Sequence, residues 1–504
     1  MFGEDGNFLF QILSQNSYLC SMSRAKNLRE LIAKIPMAVA VVPLAVGIFF
    51  SDVIQTPIWL LVLASVVSLL GAILLSKWMR NVAILATIFS VGALLHSISY
   101  QGETPYNIPL EMVVEVEQSS VSHSGYTSAE ATIEECIQSS LEGRRVMIWG
   151  DSLIHFRAGD KLHLTTPIHP FRAERERYAK QMHHRGFVGS ISVNHRATYE
   201  YIPTERISLH DRAVERLQGT IPSGDGRAVV LAMAIGEKSE LTPELREKYS
   251  SSGASHLLAV SGLHIGIAFM LIYLLLWPLV LLRYGNVTRS VAAIVLIWLY
   301  VWLCGMSPSA VRAAIMFSLL QLSLASLREY VGINTLAATA FAMLIFDSHL
   351  LFDISFQLSF IAVAAILLWA VPLYRICSTR YKSLNALTGI LLVGFASTVA
   401  TLPLVCHTFS VASLVGIVIN PVVILLANIV VLVGLLTFAI PQLGAVAEWA
   451  AEWQNGVVEW AAALPYGHFT ASMPEWAVWL SYLFFGVVSL IFFLLSKKKV
   501  SNIC

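Results

Sequence analysis

Charge is scarce in this 504-residue chain: Asp, Glu, Lys and Arg make up 13% of it, against about 25% in an ordinary soluble protein. Hydrophobic residues reach 56%. So few charges cannot cover so much apolar surface in water, which excludes a soluble globular protein of this length. Cysteine is equally thin. The six cysteines, Cys20, Cys136, Cys304, Cys377, Cys406 and Cys504, form no C-x-x-C pair, and only Cys136 falls in the large polar segment. That spacing implies neither a disulfide within the polar segment nor a cysteine zinc site. A G-x-x-x-x-G-K-[ST] phosphate loop and an H-E-x-x-H helix are both missing, so the sequence predicts no ATPase activity of its own, no metal and no cofactor. Internal repeats and low-complexity tracts are absent too. The net charge of +1 carries little, because in such a chain the positions of the charges matter more than their sum.

What is present is a series of apolar runs, the pattern of an α-helical polytopic membrane protein. Residues 1–34 are polar and end in Arg24, Lys26, Arg29 and Lys34, which predicts a cytoplasmic tail rather than a cleaved signal. Three runs, Ile35 to Phe50, Pro57 to Leu75 and Val82 to Ile98, approach the length that crosses about 30 Å of hydrocarbon. They give three N-terminal transmembrane helices within 35–100. Lys77 and Arg80 between the second and third belong in the cytoplasm, so the chain after Tyr100 lies outside. Further runs fill 253–496. Alternating them leaves Arg283, Arg289, Arg328, Arg375, Arg380 and Lys382 on the cytoplasmic side, together with Lys497, Lys498 and Lys499 of the 497–504 tail. The alternation closes only if Val411 to Ile440 crosses twice or not at all, and Asn420 and Pro421 in its middle favour a broken, hairpin-like pair. Leu443 to Leu464 sets Trp449, Trp453, Val457, Trp460 and Leu464 against Glu448, Glu452, Asn455 and Glu459, a pattern suited to the outer interface.

Between the two helical sets, 101–204 turns polar and alternates like strands in Glu111 to Glu117, Arg144 to Trp149, Lys161 to Thr165 and Gly186 to Tyr201. This predicts a small β-rich extracytoplasmic domain inserted into the helical protein. Phe171 to Gly186 places Arg172, Arg175, Arg177, Lys180 and Arg185 against Glu174 and Glu176, with His183 and His184 adding charge on acidification. Cations interleaved with Phe171, Tyr178 and Phe187 suit a single-stranded nucleic acid, since charge tracks phosphates and rings stack on bases. A basic loop facing anionic lipid heads is the plainer alternative. The connector 205–252 holds an amphipathic helix, Ile207 to Ile221, expected along the membrane surface. Val229 to Ile235 is too short to span and reads as re-entrant or interfacial.

The chain is organised around Gly253 to Gly266, Gly-Ala-Ser-His-Leu-Leu-Ala-Val-Ser-Gly-Leu-His-Ile-Gly. Gly253, Gly262 and Gly266 stand there with His256, Ser261 and His264 at the head of an apolar run, where polar groups are costly and point to function. On an ideal helix His256 and His264 fall about 12 Å apart along the axis and roughly 80° apart in azimuth, so one metal held by both requires a break at Gly262. Ser261 and His264 share a face. Further polar residues in the apolar runs are Ser309 and Arg312 after Pro308, then Gln357, then Thr398, Thr401 and His407. Such groups are expected to face a protein or water-filled interior; helix packing is the simpler role for the serines, threonines and glycines.

Four stretches carry a family resemblance: "GASHLLAVSGLHIGI", "SPSAVRAAIM", "FDISFQLSFIAV" and "STVATLPL". Together they resemble the ComEC-type competence proteins, membrane channels that admit single-stranded DNA during natural transformation. The resemblance implies an oligonucleotide/oligosaccharide-binding-type barrel for the β domain, in which "FRAERERYAKQMHHRGFVGSISV" resembles its phenylalanine-, tyrosine- and glycine-bearing stretch. It also implies a location in the bacterial cytoplasmic membrane; the polar residues of the apolar runs, His256, Ser261, His264, Arg312, Gln357, Thr398 and Thr401, suit a path for such a polyanion. Many such proteins continue into a metallo-β-lactamase-like domain; this sequence stops at Cys504 without its H-x-H-x-D-H motif. Nuclease activity is therefore not expected of this polypeptide. The implied partners are single-stranded DNA, membrane lipid, a separate extracytoplasmic DNA receptor, a cytoplasmic motor and single-strand-binding proteins, with self-association open. Two other classes remain: an intramembrane hydrolase with Ser261 as nucleophile and His264 as base, and a small-solute transporter with broken elements at Gly262 and Asn420.

Overall fold

The computed structural model describes residues 35–500 apart from 55, 100–105, 122–126, 139–140, 151–155, 157–158, 172–178, 180–181, 184, 194–198, 203–208, 326–331, 378, 380, 410, 414 and 465–467. The chain divides into two compact units. One takes Val42–Leu245 and Phe341–Gln357, and the other takes the remaining described residues. Among the described residues five helices are long and apolar enough to cross a membrane, and the chain is a multi-pass membrane protein with an inserted, curled β-sheet.

In the first unit, α1 (Pro36–Val53), α2 (Ile58–Leu74) and α3 (Lys77–Ser99) form where the three apolar runs stand. From residue 42 onward α1 lies against α3 through glycine on both sides. A Cβ on Gly47 would fall 2.1 Å from the Phe89 carbonyl oxygen, and one on Gly92 2.5 Å from that of Leu44. With no hydrophobic force between helices in lipid, such backbone approach is what holds them.

The sheet contains β1 (Pro109–Val121), β2 (Thr127–Cys136), β3 (Arg145–Gly150), β4 (Lys161–Pro167), β5 (Phe187–Val193) and β6 (Tyr199–Ile202), in the order β5-β3-β2-β1-β4-β6. Every pairing is antiparallel except β3 with β5. Beyond β4, His169 bridges to Ser190 of β5, so the sheet curls into an OB-like half-barrel. Period-two alternation fills its inside with Met112, Val114, Ala129, Ala131, Ile133, Val146, Ile148, Leu162, Leu164, Ile191 and Val193. The larger of these side chains each contribute about 1.5–3 kcal/mol on burial. A register shift between Arg145 and Val146 turns Phe187 to the other face. There it joins Met147, Phe171 and Met182 in a second small core.

That second face is charged and internally paired. Arg145 reaches Glu117 at 2.7 Å and Glu130 at 3.2 Å, and Arg185 reaches Glu130 at 2.9 Å. Both guanidiniums also lie over the Phe187 ring, at 4.9 and 5.2 Å. Nearby, partial burial and the neighbouring Glu134 push the Glu115 carboxyl up, while the Lys161 ammonium holds Glu134 down.

After the sheet, α4 (Leu209–Thr220) and α5 (Asp225–Ala234) complete the unit. From Ala228 to Ala234 the α5 helix is apolar all round and buried, as expected for a short stretch enclosed by protein.

The second unit holds α6 (Pro243–Ser251) from Arg246 onward, α7 (Gly262–Leu275), α8 (Gly285–Leu303), α9 (Pro308–Ala325) and the first part of α10 (Gly332–Phe346). It continues through most of α11 (Ile354–Ala365), a π-helical turn at Ile366–Ala370, α12 (Val371–Cys377) and α13 (Lys382–Phe409). The strand β7 (Val411–Ser413), α14 (Val415–Leu436), α15 (Gly444–Ala462), the strand β8 (His468–Thr470) and α16 (Glu475–Val500) complete it. Asn420 and Pro421 sit inside the single helix α14 rather than at a break. Membrane helices tolerate an interior proline where neighbouring groups satisfy the freed carbonyl. The expected return of the chain comes instead from α14 and α15 as a helical hairpin, because β7 before it pairs with β8 after it. On α15 the packed face is neither of the two expected. Ala447, Ala450, Ala451, Gln454, Val458 and Ala461 are buried, and Trp449, Trp453 and Trp460 are about equally exposed.

Candidate functional site

The Gly253–Gly266 motif does not form one helix. At the end of α6, Gly253 takes φ +80°, which only glycine adopts freely. The Ala254 N–H turns back to the Tyr249 carbonyl at 2.8 Å and ends the helix. A 3-10 turn, Ser255–Leu258, follows, and Ala259 is extended. Ser261 then caps α7. The break lies just before Gly262, so the straight-helix separation of His256 and His264 does not apply.

His264 is fully buried. Its Nδ1 accepts the Ser261 backbone N–H, and Ser261 Oγ accepts the His264 backbone N–H, each at 3.4 Å. This is a capping box with histidine in the place usually held by Glu or Gln. Because Nδ1 is an acceptor, a neutral ring carries its proton on Nε2, and that nitrogen has no hydrogen-bond partner among the described residues. The Ser261 hydroxyl is therefore engaged as a helix cap. It is not presented to the imidazole as the O–H···N pair that a serine nucleophile requires. His256 contrasts with His264. Its side chain is exposed, and it hydrogen-bonds the Gly253 backbone.

The second family-like stretch packs on the first. Gly262 faces Ala313, Gly266 faces the Phe317 ring, and Phe317 stacks on Phe269 with centroids 4.8 Å apart. One residue before Ala313 on α9, Arg312 is 3% exposed and its guanidinium lies 6.0 Å from the Phe360 ring of α11. From α14, Gly416 approaches Ser252 and Gly253. Three elements thus close around the break, with His256, Ser261, His264 and Arg312 in one unit. Pro308 begins α9 as an N-terminal proline.

The other expected path residues have local partners. Gln357 Nε2 donates to the Leu351 carbonyl at 2.9 Å, tying the 3-10 turn Ser348–Phe352 to the start of α11, where Asp353 caps the Phe356 N–H at 2.8 Å. Thr401 donates to the Ser397 carbonyl within α13, the helix-backbone role open to a membrane threonine; Thr398 is half-buried on the same helix. His407 Nδ1 donates to the Met473 carbonyl at 2.8 Å.

On the β domain, Arg172, Arg175, Arg177, Tyr178 and Lys180 lie outside the described residues. Phe171 is 8% exposed in the second small core, so its ring packs inside the domain. Arg185 is bound to Glu130 and lies 3.8 Å from Asp353. Sequence reasoning missed the polar group that this last contact borders, made of Asp52, His96, Ser348 and His349. Its signal was a lone Asp and a lone His at the ends of apolar runs.

Comparison with known proteins gives a consistent picture. The family described as "Competence protein" matches residues 233–498, more than half of the chain. The chain is 30% identical to ComE operon protein 3 of Bacillus subtilis (strain 168), over 42% of this chain and 26% of that protein. An uncharacterized protein of Aquifex aeolicus (strain VF5) is 33% identical over 32% of this chain and 38% of its own. The uncharacterized protein YcaI of Escherichia coli (strain K12) is 28% identical over 32% and 22%. The chain therefore spans well under half the length of each of these relatives. No solved structure matches it.

Proposed function

Because the chain belongs to the competence protein family and is a multi-pass membrane protein, we propose that it passes single-stranded DNA inward across the bacterial cytoplasmic membrane. Family and fold are consistent with a membrane transport role; the DNA substrate is the finer reading. The observation that carries it is the broken element at Gly253–Gly266, which buries the His264 Nε2–H donor without an acceptor among the described residues, with Arg312 on the helix packed against it. A permeating phosphodiester exchanges its hydration for fixed donors of this kind. His256, which is exposed, is the accessible donor of the same segment. On this reading the β domain receives the strand outside. A receptor, a motor and single-strand-binding proteins are supplied by other chains.

The test is a clean deletion in a naturally transformable host, scored separately for DNA held outside and DNA reaching the cytoplasm. Loss of the second with the first retained supports the reading. Unchanged cytoplasmic DNA refutes it and leaves the broken element to a small solute.

A further inference from the structure

We propose that His96 and His349 form a proton-operated latch that holds the turn ending the Phe171–Gly186 stretch to the helices of its own unit. The latch stands independently of the DNA reading. His96, on the last turn of α3, is 1% exposed. Its Nδ1 lies 3.1 Å from Ser348 Oγ and its Nε2 3.5 Å from Asp52 Oδ1 of α1. The His349 ring stands edge-on to it with centroids 5.3 Å apart, and Phe352 closes another side at 5.5 Å. His349 in turn lies on the backbone of Gly186: a Cβ there would meet His349 Cδ2 at 3.6 Å, and Gly186 holds φ +83°. The two histidines thus sit in series between the membrane helices and the turn that leads into β5.

Carboxylates and guanidiniums from several elements surround them. Asp52 comes from α1. Asp347, which accepts the His349 backbone N–H, and Asp353 flank the 3-10 turn. Arg185, with Glu130 bound to it, comes from the sheet side, and Arg144 bonds the Ser99 carbonyl at the end of α3. Imidazole is the side-chain type whose charge change ordinarily falls between about pH 5 and 8.

With His96 neutral, the Ser348 hydroxyl donates to Nδ1 and the Nε2–H faces the Asp52 carboxylate. One proton added at Nδ1 reverses the Ser348 bond, and Asp52 compensates the charge, so the cluster accepts it without moving. A second proton on His349 sets two imidazolium rings edge to edge with centroids 5.3 Å apart, where like charges disfavour each other. Relief comes through His349, because a five-residue 3-10 turn is softer than the end of a long α-helix. Acidification therefore draws His349 from His96 and frees the Gly186 turn.

The experiment uses the full chain in lipid nanodiscs and follows hydrogen exchange of residues 182–193, corrected for chemical exchange, from pH 8 to pH 5. Protection is expected to fall roughly tenfold or more through the histidine range, while β4 stays constant as a control. His349→Gln and His96→Gln each remove one titrating ring, and each flattens the response. Gly186→Ser, which crowds His349, starts poorly protected at pH 8 and falls no further. A flat wild-type curve overturns the latch, as does a full response surviving in His349→Gln. If neither glutamine variant folds, the wild-type and Gly186→Ser curves decide: equal pH responses in the two overturn the proposal.

Discussion

Ser261 and His264 close the first turn of α7 on each other, hydroxyl to backbone N–H and ring nitrogen to backbone N–H. One nitrogen of the imidazole is consumed by structure, and the other is left as a buried donor. Packing and function therefore separate by substitution. Ser261→Ala is expected to cost about 1 kcal/mol, the usual worth of a lost N-cap. His264→Gln keeps the box and stays within about 0.5 kcal/mol of the parent, since Gln is a normal partner at that position. Thermal unfolding in detergent measures both. A Ser261→Ala variant as stable as the parent would show that the cap contributes nothing.

The Gly47–Gly92 crossing predicts a sharp contrast among glycines. Alanine at Gly47 or Gly92 meets backbone oxygens well inside contact distance and is expected to destabilise by about 1–3 kcal/mol or more. Alanine at Gly394, with nothing within 4 Å of its Cβ position, is expected to stabilise α13 by up to about 1 kcal/mol. Melting temperatures of the three variants check the order. A neutral Gly47→Ala would mean that α1 and α3 do not approach as described.

Much of this architecture is legible in the sequence, and the failures have identifiable causes. The three N-terminal helices, the inserted β domain and the final span follow from hydropathy. The strand β2 was missed because its inward positions include Ala129 and Ala131, too small to signal alternation; only Ile133 is a strong apolar marker. Pro421 argues for a break by local chemistry, yet α14 runs through it. The shared face of Ser261 and His264 was readable, but its use as a cap depends on Ala259 leaving the helix. Gln357 reads as an intramembrane amide, whereas its partner, Leu351, lies six residues upstream. Nothing in the sequence joins Asp52, His96 and Ser348, whose meeting depends on tertiary packing.

Tyr249 and Gln454 give a test of the second unit. The buried phenol donates to Asn455 Oδ1 at 2.8 Å and accepts from Gln454 Nε2 at 3.0 Å. Burial pushes its ionisation well above the ordinary range, so it stays protonated throughout the physiological range. Tyr249→Phe is expected to cost about 1–3 kcal/mol by stranding buried amides. A double-mutant cycle with Asn455→Ala shows coupling if the bond operates, and strict additivity if it does not.

Glu237 sets an acid limit on the connector. Its carboxylate accepts from His210 at 3.2 Å and from the Ser239 N–H at 2.7 Å. These bonds, that of His210 first, hold it down at about 2 despite burial. A carboxyl depressed in the folded state contributes stability above its unfolded value and loses it as pH falls through the folded one. The stability gap between wild type and Glu237→Gln is thus expected to be of order 2 kcal/mol at neutral pH. It closes as pH falls from the normal carboxylate range toward 2. A gap that holds constant down to pH 3 would contradict the assignment.

The most direct test of the central claim is DNA entry into the cytoplasm with Arg312 replaced by Lys and by Met in a transformable host, with protein abundance and outer DNA capture measured alongside. If Arg312 serves the DNA path, Lys retains part of the uptake by keeping the charge, and Met, which keeps the bulk and stem, loses at least tenfold, about 1.4 kcal/mol of barrier. Uptake in the Met variant equal to wild type, at equal abundance, would contradict the account and return Arg312 to helix packing.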